Sequence, residues 1–537
     1  VLAPFRPAFA TLSRGTLALL FALSALRLAE RAFLIVVVVV GFGGARLAAA
    51  AFAAATAALV LVRTVLLGTT RRRVHEELVI GMLRSLLEAD VLQTRVLEGD
   101  DAQRVTFEGA ALGERLVAEQ VPEACGDAVA AVAALLVLAV IEPPAVVATL
   151  VVALVVTASA MLVFRRYAAR AAEESDAAYL PVIEAIVVGT HARLELAASG
   201  HAARFLERAR STLATFRERS RRAAVQSAWA ARAPLALGAL ALAAVLVSSP
   251  AFGVALSPVL FRDAAVVLAC AAPAIGVARA ASELVRGAVR FRRVNDLLTL
   301  AARDERRDGA APPRGAEVLA GDALGFRYGG ASGGPFVFRG VHFAWRRHEM
   351  VVVRGRNGAG KTTLLRLLLA LAPPTEGTIA LDGRDVRTFD ADAYRRTVAY
   401  LPQRPYLPER LSIGAAMRLV CEGAGDEALL SALARVELLA PLRARGGGAP
   451  LDVPLAALSV GERQRVALAR VLAQDVETVL LDEPDANLDA AGVAMVRSVV
   501  RELARSKRVV VVAHSAALIE EADRLLDLDA HARGGDA

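Results

Sequence analysis

The sequence predicts a multidomain chain: an all-α polytopic membrane domain over residues 1–300, a linker at 301–316, and an α/β domain over 317–537. Three observations lead there. The 537-residue chain is 56% apolar with a mean hydropathy of +0.47, and the apolar excess is gathered in about the first 290 positions. Six apolar stretches fall in that part as three closely spaced pairs. The run Gly355-Arg356-Asn357-Gly358-Ala359-Gly360-Lys361-Thr362 then matches the phosphate-cradling pattern G-x-x-x-x-G-K-[ST] in full.

The paired stretches cover residues 17–44 and 47–68, 125–141 and 145–164, and 233–249 and 252–278. Tight turns separate the members of each pair, at Gly41-Phe42-Gly43-Gly44, Glu142-Pro143-Pro144 and Ser248-Ser249-Pro250. Between pairs lie two long polar connections, residues 69–122 and 165–230, with helical periodicity. Net charge is +8, and arginines cluster beside the apolar runs, at Arg71-Arg72-Arg73, Arg165-Arg166 and Arg290-Phe291-Arg292-Arg293. That distribution is the positive-inside pattern, and it speaks against nucleic-acid binding. It predicts six transmembrane helices with long cytoplasmic extensions, both termini in the cytoplasm and short turns outside. The competing reading is a buried helical bundle, because the second-pair helices are barely long enough to span; six segments paired in this way argue against it. The first stretch is long and followed at once by another, so no cleaved signal peptide is expected. Cys125, Cys270 and Cys421 are scattered without metal or redox spacing.

Arg27, Glu30 and Arg31 interrupt the first apolar stretch. They leave about 13 uncharged residues after them, too few to span alone. One reading is an internal i,i+3 pair with a snorkelling arginine, or a helix whose lower half projects into the cytosol. The other is a charged group on a substrate pathway.

The linker is charged from Arg303 to Asp308 and then rich in Pro and Gly, a composition unsuited to packing. Beyond it, apolar β-rich runs at Val351–Val353, Val479–Leu481 and Val509–Val512 alternate with helical stretches, which predicts a largely parallel sheet. The glycine run follows the first of these and precedes the leucine-rich stretch from Leu364 to Leu369. A strand, a glycine loop and a helix start are the setting a phosphate loop needs. Backbone N–H groups of Gly355, Asn357, Gly358, Ala359 and Gly360 can turn inward, and the helix N-terminus adds its positive end. Lys361 would reach the β- and γ-phosphates; the Thr362 hydroxyl would ligate Mg²⁺, with Thr363 beside it. About 120 residues on, the run Val479-Leu480-Leu481-Asp482-Glu483 is an apolar strand ending in two carboxylates, a metal-water ligand and a residue able to polarise an attacking water.

Leu458-Ser459-Val460-Gly461-Glu462-Arg463-Gln464-Arg465 is the second decisive run. Ser459 with Glu462 forms an S-x-x-E capping box, and a capped helix is one sufficient reading. With Gly461 it is also an anion site at a helix N-terminus. The run resembles the ABC-transporter signature Leu-Ser-Gly-Gly-Gln, with Val460 in place of the middle glycine and Glu462 in place of glutamine. With the phosphate loop and strand-end carboxylates in register, the C-terminal part resembles an ABC ATPase of the P-loop NTPase class. The whole chain is similar to an ABC exporter half-transporter.

The resemblance implies further roles. Gln403, in Tyr400-Leu401-Pro402-Gln403, is placed as the glutamine that senses Mg²⁺ and contacts the membrane domain. His514 takes the γ-phosphate switch role, and Glu483, Gln403 and His514 form the catalytic set. Thr362, Gln403 and Asp482 hold the metal. Asp489, in Ala486-Asn487-Leu488-Asp489, matches the loop that crosses to the partner, and Tyr328 stacks on adenine or is a core tyrosine. Cofactors would be ATP and Mg²⁺. Partners would be a second half-transporter chain, the lipid bilayer of the cell membrane and an unidentified transported substrate. Coupling helices are expected near residues 97–103 and 199–206. The function implied is ATP-driven export. The alternative is a weakly active or regulatory partner in a heterodimer, resembling the thiol exporter pair of cytochrome bd assembly.

Overall fold

The structure is a computed structural model. It describes residues 2–42, 45–89, 99–141, 167, 170, 173–174, 177–179, 181–190, 192–248, 258–300, 309–328, 334–421, 423–486 and 488–531. The chain divides into two compact units, Val1–Glu88 with Val96–Leu300 and Ala89–Arg95 with Ala301–Ala537.

Among its described residues the first unit is helical: α1 (Arg6–Thr11), α2 (Arg14–Phe42), α3 (Arg46–Glu88), α4 (Gly99–Gly113), α5 (Val121–Ile141), α6 (Arg193–Ala198), α7 (Ala202–Ser248) and α8 (Pro258–Leu298). A π-helical stretch, Glu114–Gln120, runs α4 into α5. Helix α2 lies against α3 and α5, and α5 lies against α8. The buried core is in the polar-periodic extensions, where Phe5, Val74, Leu78, Met82, Leu116, Val117, Leu284, Phe291 and Val294 meet. Along the apolar stretches, by contrast, Leu61, Val65, Val132, Leu136 and Val140 are exposed. Apolar residues that find no protein to bury them suit a hydrocarbon solvent.

Among the described residues, Arg46–Glu88 and Val105–Val140 are long and apolar enough to cross a bilayer, with peak mean hydropathies of 2.1 and 2.0. The first predicted stretch forms one continuous helix, α2, with its three charges in the middle. The fifth stretch falls in α7 and the sixth across the start of α8. The fourth stretch and the turns at 43–44, 142–144 and 249–250 lie outside the described residues.

The internal i,i+3 pair expected among Arg27, Glu30 and Arg31 forms, and distant partners extend it. Arg27 meets Glu30 at 3.2 Å, and Glu30 is 5% exposed and so does not reach water. Arg27 also grips Asp127 of α5 with two hydrogen bonds (2.9 and 3.1 Å), and Arg31 grips the same carboxylate (2.8 and 3.3 Å). Arg63 of α3 joins Glu30 (2.7 Å) to Glu123 (3.3 Å), and Arg279 of α8 closes on Glu123 (3.5 Å). Small residues make room: a Cβ on Gly276 would fall 1.7 Å from Asp127 Oδ2, and one on Gly126 2.7 Å from Ser24 O.

Of the two segments expected as coupling helices, 97–98 lie outside the described residues and α4 starts at Gly99. In the other connection the short helix is α6, ahead of the expected 199–206. Gly200, with φ +70°, ends it there, and Ser199, Gly200 and His201 N–H groups close on Glu195, Ala197 and Leu196 carbonyls.

The described residues of the second unit form nine strands: β1 (Val318–Phe326), β2 (Phe338–Arg346), β3 (Met350–Arg354), β4 (Glu376–Leu381), β5 (Arg384–Asp385), β6 (Val398–Leu401), β7 (Thr478–Asp482), β8 (Arg508–Val512) and β9 (Arg524–Asp527). Its helices include α9 (Lys361–Leu368), α10 (Ala391–Arg395), α11 (Ile413–Arg418), α12 (Asp426–Arg435), α13 (Leu439–Arg445), α14 (Val460–Leu472), α15 (Ala490–Ala504) and α16 (Ala516–Ile519). The predicted parallel sheet is present in the order β6-β7-β8-β3-β9. Val351, Val353, Leu480, Val510 and Val512 pack into one layer, while Met350, Val352, Val479, Leu481, Val509 and Val511 pack into the other. Burial on both faces is why these strands read as unbroken apolar runs.

A second, antiparallel sheet in the order β2-β1-β4-β5 is an addition to the sequence reading. Register shifts near Gly321 and Leu324, with Ala323 at φ +47°, break the alternation that would have marked β1. The linker is also revised. Residues 301–308 lie outside the described ones, but the remainder is fastened to the unit. Ala310 O accepts from Asp390 N (3.0 Å), Gly315 N donates to Glu477 (2.5 Å), and Ala316 O accepts from Arg508 (3.1 Å). Arg508 is buried and bonded to Trp345, Thr478, Ala316 and Glu317 oxygens, so these segment carbonyls satisfy a cation removed from water.

Candidate nucleotide site

The strand order sets the site. Because β8 lies between β7 and β3, the segments leaving their carboxyl ends emerge side by side: Gly355 after β3, Asp482 and Glu483 at β7, His514 after β8. Gln403 follows β6 at the next position along. The crevice beyond the carboxyl ends of parallel strands is where such sheets bind ligands.

The glycine loop turns through conformations that L side chains rarely adopt: Gly358 has φ +85° and Gly360 φ +96°. A Cβ on Gly360 would come within 2.6 Å of Val337, while the space around Gly358 is open and Asn357 is exposed. Ala359 is buried beneath the loop. Gly360 caps α9, whose first residue, Lys361, is buried with its Nζ on the carbonyls of Gly355 (2.7 Å) and Arg356 (3.2 Å). The loop is anchored from the end of β9 and the turn after it: Asp529, in that turn, accepts from Arg356 N (3.1 and 2.9 Å), and Asp527, the last residue of β9, pairs with Arg354 (2.8 Å).

Thr362 Oγ1 donates to Asp482 Oδ2 at 2.8 Å. Burial pushes the Asp482 carboxyl above its ordinary range, the Thr362 bond opposing this and the neighbouring Glu483 charge adding to it. The Tyr400 hydroxyl, packed nearby, is pushed up to about 12, by burial first and the Asp482 charge second. Glu483 sits in the left-handed region at φ +51°, its N–H bonded to Val512 O (3.0 Å). For a side-chain-bearing residue that conformation costs about 1–2 kcal/mol, and it points to a position held by its surroundings. One Glu483 oxygen accepts from Gln403 Nε2 (2.7 Å); the other faces His514 Nε2 (3.5 Å). Tyr328 is half exposed rather than a core tyrosine, edge-on to Phe326, with its hydroxyl bonded to Thr363 Oγ1 (2.8 Å).

The capping box forms: Ser459 Oγ accepts from Glu462 N (3.2 Å) and Ser459 N donates to Glu462 (2.8 Å), so α14 starts at Val460. Val460 is exposed, and a Cβ on Gly461 would meet nothing nearer than Leu488 at 3.8 Å, so this backbone is open to close approach. Asp489 caps α15 through Gly492 N (2.8 Å). Among the described residues no hydrogen bond or ion pair joins Ser459, Gly461, Glu462 or Asp489 to the glycine loop; the cluster of loop, carboxylates, Gln403 and His514 forms without them.

The donor set fits Mg²⁺ carried on a polyphosphate. Among the described residues no group of three or more His, Cys, Asp or Glu gathers to hold a metal. A hydroxyl, a buried carboxylate and an amide leave most coordination positions to phosphate oxygens and water, as this cation prefers. Sequence reasoning missed Asp527 and Asp529, whose partners Arg354 and Arg356 lie 173 positions away. It also missed Arg445, whose link to Glu462 no local pattern shows.

Residues 338–486 match the family described as ABC transporter. The chain is 37% identical over 225 residues to the mycobactin import ATP-binding/permease protein IrtB of Mycobacterium tuberculosis H37Rv, covering 42% of this chain and 38% of that protein. It is 32% identical over 191 residues to the beta-(1→2)glucan export ATP-binding/permease protein NdvA of Agrobacterium vitis, covering 35% of this chain and 32% of that one. The chain thus spans well under half the length of these curated relatives. A solved structure of a bacterial Atm1-family ABC exporter with ATP bound superposes with a TM-score of 0.79 at 17% identity, over 98% of this chain and 94% of that one. Residues 338–486 are thus similar to the ABC-transporter family, and the chain has the fold of an Atm1-type exporter, a helical N-terminal region with candidate transmembrane helices followed by a P-loop domain.

Proposed function

We propose that this protein is a half-transporter: an ATPase whose hydrolysis drives export of a substrate across the cell membrane, acting as two chains. The observation that carries the reading is the convergence of Lys361, Thr362, Asp482, Glu483, Gln403 and His514 at neighbouring strand ends. The loop amides and Lys361 bind the β- and γ-phosphates of ATP, and Tyr328 stacks on the base. Thr362, Asp482 and Gln403 hold Mg²⁺, which when bound neutralises phosphate charge. Glu483, oriented by Gln403, accepts the proton of the attacking water, and His514 holds the γ-phosphate end. Ser459, Gly461 and Asp489 stand apart from the loop because they serve the nucleotide of the second chain. ATP closes that interface and its hydrolysis reopens it, a population shift passed to the membrane helices. Six crossings, a domain boundary at 300 and 317, and a cytoplasmic ATPase complete the reading. The whole-chain likeness to an exporter fold supports export; the relatives named for mycobactin import match over less than half of this chain.

The test is turnover by the purified full-length chain in lipid. Glu483→Gln should lower hydrolysis at least about a hundredfold while ATP still binds, and Lys361→Ala should abolish both. Normal turnover in either variant would end this assignment. Val460 in the signature favours the second reading, a partner subunit with a slow site; no turnover by the chain alone, restored by a second half-transporter, would establish it.

A further inference from the structure

We propose that Arg445 is a positioning residue for the ATP site: it cancels the charge of Glu462 so that the anionic end of a nucleotide can dock on the N-terminus of α14. The proposal rests on the reading of Ser459, Gly461 and Glu462 as the half-site offered to the second chain.

The difficulty that Arg445 resolves is electrostatic. A helix N-terminus attracts phosphate because its first N–H groups are unpaired and the macrodipole is positive there. In this chain the third residue of α14 is a glutamate, which competes for the same donors and repels a second anion. Its carboxyl stays ionised at neutral pH: burial raises it, but the Arg445 and Ser459 bonds bring it below the ordinary range. A bare negative charge would therefore sit where a γ-phosphate has to arrive.

The structure places a counter-charge on it. Arg445 Nη2 donates to Glu462 Oε1 at 2.9 Å, and Nη1 lies 3.4 Å from Oε2. The same Nη1 donates to the carbonyl of Ala457 at 3.2 Å, two residues ahead of Ser459. One guanidinium thus spans the carboxylate and the chain that leads into the cap. Both ends are fixed: Leu442, one turn before Arg445, and Leu455 and Leu458, ahead of the cap, are buried in one core.

The chain around Arg445 is shaped for this reach. Arg445 is the last residue of α13, and Gly446, Gly447 and Gly448 follow it. Gly447 and Gly448 have φ of +57° and +99°, and a Cβ on Gly446 would fall 2.8 Å from both Ala449 O and Val453 Cγ2. The helix is thereby stopped at Arg445 and the backbone turned away. Both Glu462 oxygens are engaged, by Arg445 and by the Ser459 backbone, while Gly461 stays open to close approach.

The experiment is a mutant cycle on the full-length protein in lipid, reading KM for ATP and kcat at low and high salt for Arg445→Ala, Glu462→Gln, the double variant and Arg445→Lys. Arg445→Ala should raise KM for ATP about tenfold at low salt, with a smaller rise at high salt where the exposed charge is screened. The double variant should return to within about twofold of Glu462→Gln, because a neutral side chain needs no counter-charge. Arg445→Lys, which keeps charge without the two-pronged contact, should fall between. A wild-type KM in Arg445→Ala overturns the proposal. So does a double variant no better than Arg445→Ala, which would mark the arginine as a packing element alone. Turnover that survives Lys361→Ala is a different result: it removes the nucleotide reading on which the pair depends.

Discussion

Asp482 and Glu483 are adjacent in sequence yet lie in unlike surroundings. Asp482 is buried at the end of β7 with one hydroxyl partner, and its carboxyl is raised by that burial. Glu483, turned outward by its left-handed backbone, takes its contacts from Gln403 and His514. A carboxyl raised above its unfolded value of about 3.9 holds its proton more tightly in the folded state, so ionising it costs stability as pH rises through the raised value. Asp482→Asn removes that cost. Thermal unfolding at neutral pH should move up by about 1–3 °C, the gain disappearing below about pH 4, while ATP turnover falls at least about tenfold. A midpoint that does not rise would mean that the Thr362 bond outweighs burial. These two carboxylates and Lys361 could be recognised in the sequence because their chemistry follows from immediate neighbours. Asp529, which anchors Arg356 N from 173 positions away, could not.

Helix and strand identity was readable wherever periodicity is local and unbroken. The three apolar runs of the parallel sheet and the Ser459–Glu462 cap are of this kind. The antiparallel sheet escaped because its bulge shifts the alternation, and the short helix of the second connection was misplaced because Gly200 ends it early. Contacts between helices were not readable either, since a glycine in a long helix looks like a weak point until its neighbour is known. A Cβ on Gly287 of α8 would sit 2.4 Å from Leu116 Cδ1, and one on Gly113 2.4 Å from Leu78 Cδ1. Gly287→Val should therefore destabilise the helical unit by about 1–3 kcal/mol, measured as a lower midpoint of the helical signal on heating. Adding Leu116→Ala should recover part of the loss; if it makes matters worse, the close approach lies elsewhere.

Across the helical unit, four helices are tied by one buried ionic network. Asp127 is its centre, 1% exposed and holding both Arg27 and Arg31. Removing one partner from a buried pair strands the other charge, at about 3–5 kcal/mol, which exceeds the worth of the pair itself. Asp127→Asn should lower the heat stability of the detergent-solubilised protein by that order, and Arg27→Met combined with Asp127→Asn should cost less than the sum of the two. Additive losses would show that the arginines reach solvent. This network decides between the two sequence readings of the α2 charges only in part: the pairing is found, and its extent lies far outside any local window.

Composition, periodicity and short motifs were enough to identify a greasy helical half, a parallel sheet and a phosphate loop, because each depends on residues within a few positions of one another. Which charge answers which was settled by folding: Asp127 for Arg27, Arg445 for Glu462, Asp529 for the loop. An ion pair acts over a few ångströms of space and takes no account of chain separation, so its partner exists only once the helices and strands have met.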